Sequence, residues 1–418
     1  MSADRPPPRP AYGSPPDGQW DRPADPAVRA RLADTLEPGP LRDELLGAAA
    51  PATPHDPGRI ASFRFTGQGG EYFRIWVVNL LLTLVTLGVY SAWAKVRKTR
   101  YFWQNTRLDG HAFDYHGNPV AILIGRAIAL ALIVAYSIAF DVSRTAGLVV
   151  IVVLCVAGPW LFLRAQRFKL VNSSWRGLRF GFDADAAAAY RAVLPPLVIW
   201  FSSTIVALLA SDRRELFALA GAASMALFPW MHHRVKAYQH RAARYGDRSF
   251  DFLAATPAFY GVYFKAATLA AAGVLLAFAV LGFGAVFSEA RASAAGFAVT
   301  MVLTLIVGVL GYLAAWPYFA ARMQAVVWSH TRLGEVRFAT AVRAGPLLRI
   351  AAKNVALTLF TLGLYWPFAA VALARYRVEC MRAESAQPFA ALAEAVQAAP
   401  GLAAGDAAVE VFGLDIGL

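Results

Sequence analysis

The chain has 418 residues, 58% hydrophobic and 16% charged, with a net charge of +13 and a mean hydropathy of +0.46. Soluble globular domains are nearer half apolar and a quarter charged, so an ordinary soluble domain is excluded. Cys155 lies in an apolar run and Cys380 near the end, too far apart in the pattern for a disulfide framework.

Residues 1–60 carry RPPPRP and SPPDG and read as a disordered Pro-rich tail. The alternation Phe63-Arg-Phe65 follows, then a glycine-rich loop at 66–70. That loop matches neither a P-loop nor a dinucleotide fingerprint, and reads as a flexible entry into the membrane. Eight apolar runs come next, at 75–94, 120–140, 146–163, 193–210, 216–231, 259–287, 297–321 and 350–374. A run of about 20 apolar residues is long enough to cross a bilayer core. Short loops at 141–145, 211–215 and 288–291 join three pairs of runs as helical hairpins. The predicted fold is an all-α polytopic membrane protein of about eight apolar segments, six of them full spans. Short cytoplasmic amphipathic helices and small β-strand pairs complete it. An Ala-rich tail at 385–418 follows the transmembrane domain at 61–384.

An internal repeat emerges when segments are slid against one another. A shift of 67 places Trp93 on Trp160, Arg97 on Arg164, Tyr101 on Phe168 and Phe113 on Phe180. A further 70 brings Trp230, Arg234, Tyr238 and Phe250 into the same columns, and Arg322 falls under Arg97. A shift of 275 pairs Arg74, Asn79, Gly88 and Tyr90 with Arg349, Asn354, Gly363 and Tyr365. The unit is an apolar span, a basic amphipathic helix, a turn and an aromatic strand.

Lys and Arg number twenty-three in the repeat arms against four in the hairpin loops. The positive-inside rule places the arms in the cytoplasm. Runs 75–94 and 350–374 either cross once or re-enter, broken near Gly88 and Gly363. Asn79 and Asn354 are polar positions in matching apolar runs, read as a clamp between helices or as the lining of a pathway. Arg97, Arg164, Arg234 and Arg322 form a candidate belt for anionic lipid. Arg126 and Lys265 lie near span ends and read as snorkelling side chains. Asp109, His111, Asp114 and His116 are close in sequence, but the second arm lacks them, which excludes a repeated metal site; they read as turn residues, with a single metal site in the first arm as the alternative. His232, His233 and His240 read as part of the basic belt.

The stretch FRFTGQGGEYFRIWVVNLLLTLVTLGVYSAWAKVRKTRYFWQNTRLDGHAFDYHG resembles the opening of the YjgN-like family of bacterial inner-membrane proteins. RIAAKNVALTLFTLGLYWPFA resembles its closing block. The resemblance implies a multi-pass inner-membrane protein of unestablished activity, and supplies no catalytic residues. No nucleophile–base order, metal motif or nucleotide loop points to an enzyme, a cofactor or nucleic acid. Two function readings stand. One is transport or permeation of a small solute. The other is a non-transporting scaffold that binds anionic lipid headgroups or a partner protein through its basic arms.

Overall fold

The computed structural model describes residues 59–210, 212–287 and 294–389. The Pro-rich tail and nearly all of the Ala-rich tail lie outside them. Each unit begins and ends with a strand, and two helices lie between. Unit 1 is β1 (Arg59–Phe65), α1 (Gly69–Val85), α2 (Ser91–Gln104) and β2 (Thr106–Leu108). Unit 2 is β3 (His111–Tyr115), α3 (Pro119–Val142), α4 (Arg144–Val171) and β4 (Ser173–Trp175). Unit 3 is β5 (Leu178–Phe182), α5 (Ala186–Leu209), α6 (Arg214–Arg241) and β6 (Ala243–Tyr245). Unit 4 is β7 (Arg248–Phe252), α7 (Thr256–Phe287), α8 (Ala294–Ser329) and β8 (Thr331–Leu333). Unit 5 is β9 (Val336–Thr340), α9 (Ala344–Phe360), α10 (Trp366–Glu379) and β10 (Met381–Ser385).

The ten strands close into one antiparallel barrel, with β1 paired to β10 across the whole chain. Closure removes the open edge that a small sheet would leave. The all-α expectation is therefore wrong. Nor are six full spans among eight apolar segments shown: among the described residues, four helices, α3, α4, α5 and the 256–282 part of α7, are long and apolar enough to cross a membrane. The physical reason is that the strands are 3 to 7 residues long, too short for alternation to stand out beside long apolar runs.

Turns at one barrel end join the units, and every helical hairpin leaves from the other end. The turns Asp109-Gly110 and Arg176-Gly177 have positive φ at both residues, as a I′ hairpin requires. In Gly246-Asp247 and Gly334-Glu335 the glycine alone has positive φ.

The barrel interior is filled. Phe63, Phe113, Phe180, Phe250 and Phe338 stand one per unit, opposite Leu108, Trp175, Tyr245, Leu333 and Ala383. Phe63 stacks on Phe113 with ring centroids 6.2 Å apart, and Phe250 stacks on Phe338 at 6.2 Å. Phe389, four residues past β10, packs edge-on against Trp175 at 6.4 Å and belongs to the same cluster. Burying each such ring stabilises by about 1.5–3 kcal/mol, so the barrel interior is a packed core.

Runs 75–94 and 350–374 fold as short hairpins. α1 ends in a Schellman motif: the Gly88 amide donates to the Thr83 carbonyl (2.8 Å) and the Leu87 amide to the Leu84 carbonyl (3.1 Å). α9 repeats it with Gly363 to Thr358 (2.7 Å) and Leu362 to Leu359 (3.1 Å). The left-handed position falls on Leu87 (φ 48°) and Leu362 (φ 49°), which are 95% and 94% exposed. Gly88 and Gly363 follow with φ 93° and 94°.

Candidate functional site: a basic and aromatic collar

The second helix of each hairpin runs back to the barrel. Its last turns carry basic and aromatic residues together, which builds a collar where helices meet strands. The helices of units 2 to 5 place a buried proline at one repeat column, Pro159, Pro229, Pro317 and Pro367, where unit 1 has Ala92. This proline column is a signal the sequence reading missed.

In units 2 and 3 the proline is followed by a tryptophan, and an arginine four residues later lies over it. Arg164 sits 5.3 Å above the Trp160 ring and Arg234 5.3 Å above Trp230. In unit 1 Arg97 lies over Tyr90 instead, at 5.7 Å. Stacking of this kind fixes a guanidinium beside an aromatic at about 0.5–1 kcal/mol when exposed. Arg322 occupies the same column on α8, half-buried. The four candidate belt arginines therefore stand on four successive units.

A second set of basic side chains is committed to seams between units. Arg100 Nε donates to the Tyr115 carbonyl (3.1 Å), Arg167 Nη2 to the Ala184 carbonyl (3.0 Å) and Arg375 Nη2 to the Gly67 carbonyl (2.7 Å). In unit 3 His233 Nε2 takes this role, 2.9 Å from the Ala254 carbonyl. His232 pairs with Tyr263 (2.9 Å) and His240 with Thr331 (3.1 Å). All three histidines bind unit 4. They are inter-unit ties, and burial with a nearby Lys236 pushes His240 down to about 4, so it carries no charge into a basic belt.

The remaining candidates separate. Asn354 Nδ2 donates to the Ala369 carbonyl of α10 at 3.3 Å, which ties its own hairpin together. The buried Asn79 Oδ1 has no hydrogen-bond partner, and the two asparagines do not bond each other. Arg126 Nη1 donates to Ser91 Oγ at 2.5 Å and links α3 to α2, in place of the expected snorkelling; Lys265 is exposed. Asp109 pairs with Arg176 (2.5 Å), Asp114 accepts from Gln104 (3.0 Å) and His116 meets Ser174 (2.8 Å). Within the cluster His111 Nδ1 lies 2.8 Å from the Asp109 carbonyl and His116 Nδ1 3.9 Å from Asp114 Oδ2, contacts of a turn and its strand. Two glycines of the 66–70 loop are packing residues: a Cβ on Gly67 would lie 2.8 Å from the Phe65 ring and one on Gly69 2.5 Å from the Phe368 ring, whereas Gly70 faces open space.

The collar and hairpins define a helical membrane protein whose helices hang from a filled β-barrel. The chain belongs to a family described as bacterial protein of unknown function (DUF898), whose model matches residues 61–411. It is similar to inner membrane protein YjgN of Salmonella typhimurium, 32% identical over 138 residues, which cover 32% of this chain and 35% of that protein. Inner membrane protein YjgN of Escherichia coli K12 is 32% identical over 126 residues, 30% of this chain and 31% of that one. The matched stretch spans about a third of the length of these curated relatives. No solved structure matches the chain.

Proposed function

We propose that this protein is a multi-pass bacterial inner-membrane scaffold that gathers anionic lipid headgroups on its basic collar. The observation that carries the reading is the repeated stacking of Arg164 on Trp160 and Arg234 on Trp230 at the same height on successive hairpins. Guanidinium and indole together suit the headgroup layer, the first for phosphate and the second for the apolar boundary. The charge count supports a cytoplasmic barrel.

The hairpin tips support the depth assignment. The α3–α4 tip carries Asp141 and Arg144, and the α5–α6 tip carries Asp212, Arg213 and Glu215. The short tips carry Val85, Leu87 and Val89, or Phe360, Leu362 and Leu364, all exposed. At 1.5 Å per residue α1 and α9, with 17 residues each, reach about 26 Å, less than the hydrocarbon core of about 30 Å. A leucine in the left-handed region costs about 1–2 kcal/mol. Keeping one there twice, fully exposed, fits a tip immersed in acyl chains. Units 1 and 5 then re-enter, and the barrel side holds both ends of the described chain.

Transport has less support. Its basis is the two helix breaks, whereas the barrel is filled and Asn354 is spent on its own hairpin. The test is flotation with vesicles of phosphatidylglycerol or phosphatidylcholine. The R97Q/R164Q/R234Q variant is expected to lose most of the preference for the anionic vesicles. An unchanged preference overturns the scaffold reading.

A further inference from the structure

Unit 3 departs from units 1 and 5 at one place. In those units a tyrosine hydroxyl clasps the backbone of the residue before the first helix. Tyr101 lies 2.8 Å from both the amide nitrogen and the carbonyl oxygen of Gln68, and Tyr376 repeats this on Arg343 at 3.0 and 3.2 Å. Tyr238 holds the same repeat column on α6. The matching backbone residue is Asp185, three after Phe182 as Gln68 is three after Phe65. No such clasp forms. Tyr238 is 8% exposed, and its buried hydroxyl has no hydrogen-bond partner. An orphaned hydroxyl of this kind costs about 1–3 kcal/mol.

A cleft of about 780 Å³, lined by both Tyr238 and Asp185, takes the place of the clasp. Small-molecule sites commonly hold about 300–1,000 Å³. The carboxylates on its wall are occupied. Asp185 accepts from the Ala188 amide (2.7 Å) as the N-cap of α5, and Asp183 faces Arg244 at 3.8 Å. The arginines are not balanced in this way. Arg234 donates to the backbone carbonyl of Arg191 while stacked on Trp230, which brings the two arginines to one wall. The Arg191 side chain is exposed and makes no hydrogen bond or ion pair among the described residues. Ala184, Ala188 and Ala192 leave the rest of the wall small and apolar.

We propose that this cleft binds a phosphate group carried on a small headgroup, held between Arg191 and Arg234 with an oxygen reaching Tyr238. Two guanidinium groups match the several acceptor oxygens of phosphate. Trp230 supplies the apolar wall for the ester carbons. The inference rests on the anionic-lipid reading and narrows it to one unit. The same chemistry could arrive as an anionic phospholipid or as a soluble phosphate.

The experiment uses the full chain in mild detergent. Native mass spectrometry counts retained phosphatidylglycerol and phosphatidylcholine, with and without excess inorganic phosphate. The wild type is expected to retain one phosphatidylglycerol and to discriminate against phosphatidylcholine. R191Q is expected to weaken retention about tenfold or more, the loss of a charge-assisted pair. Y238F is expected to weaken it several-fold with a thermal midpoint no lower than that of the wild type, because it removes an unpartnered buried hydroxyl and Phe168 already fills this column in unit 2. Displacement by inorganic phosphate supports the site with a soluble ligand, and no displacement supports it with a lipid. If R191Q and Y238F retain lipid like the wild type, the cleft proposal is overturned. If R97Q weakens retention as much as R191Q, the cleft falls and the collar stands. If no anionic preference appears at all, both fall.

Discussion

The Tyr101 hydroxyl accepts a hydrogen bond from the Gln68 amide and donates one to the Gln68 carbonyl, both at 2.8 Å. Gln68 precedes α1, and its own side chain makes no capping bond. A residue 33 positions away therefore does the work of a cap and locks α2 against the entrance of α1. The Tyr376–Arg343 pair does the same for α9.

Removing either hydroxyl leaves backbone groups without their partner. Y101F and Y376F are each expected to lower stability by about 1–2 kcal/mol, read as a lower thermal midpoint in detergent. Burial raises both tyrosines to about 12 from the usual 10.0. The folded state thus holds the proton more tightly than the unfolded one. That contribution is complete below pH 10 and is lost as pH rises toward 12. Y101F/Y376F should show a shallower alkaline decline. An identical decline would mean other groups set it.

His240 predicts the acid side. Its ring stacks on Phe252 (5.1 Å) and meets the Trp328 edge-on (5.7 Å). Its folded value of about 4 lies below the usual 6.5, so the unfolded chain takes up a proton first. Stability is full above pH 6.5 and falls as pH drops toward 4. Denaturation midpoints between pH 7 and 4.5 are expected to drop less steeply in H240Q than in the wild type.

Gly273 and Gly311 mark the closest approach of α7 and α8. A Cβ on Gly273 would lie 2.5 Å from the Gly311 Cα, and the reverse holds. Small residues let helix backbones meet in this way. G273A and G311A are each expected to cost about 1–3 kcal/mol by forcing the helices apart. A midpoint equal to the wild type in both variants would rule out this contact as a determinant of stability.

The two asparagines should behave differently despite their matching columns. Asn354 ties α9 to α10, so N354L is expected to lose about 1 kcal/mol. Asn79 buries an oxygen without a partner, so N79L is expected to be neutral or stabilising. Equal losses in both variants would show that Asn79 finds a partner in the membrane.

Much of the architecture was readable from residues alone. Trp93, Trp160 and Trp230 announced the repeat, and Gly88 and Gly363 marked matching places in the end segments without deciding between a single crossing and re-entry. Apolar runs declared the membrane class, because hydrocarbon imposes length and composition directly on the chain. The aromatic alternation at Phe113-Asp-Tyr115 declared a strand but not its neighbours.

Barrel closure belonged to the tertiary structure. Pairing Arg59 with Ser385 joins residues more than 300 positions apart, and nothing local encodes that partner. Tertiary packing also decided that 75–94 and 350–374 turn back, since a Schellman turn with leucine in the left-handed position runs against local preference. It split the basic residues into seam ties such as Arg100 and collar members such as Arg164, because a side chain's partner depends on which unit packs beside it. Composition and repeat therefore came from the sequence by itself, through short-range periodicity and the demands of the bilayer. The partners of strands and charges came from the closed fold, which brings together groups that the chain keeps far apart.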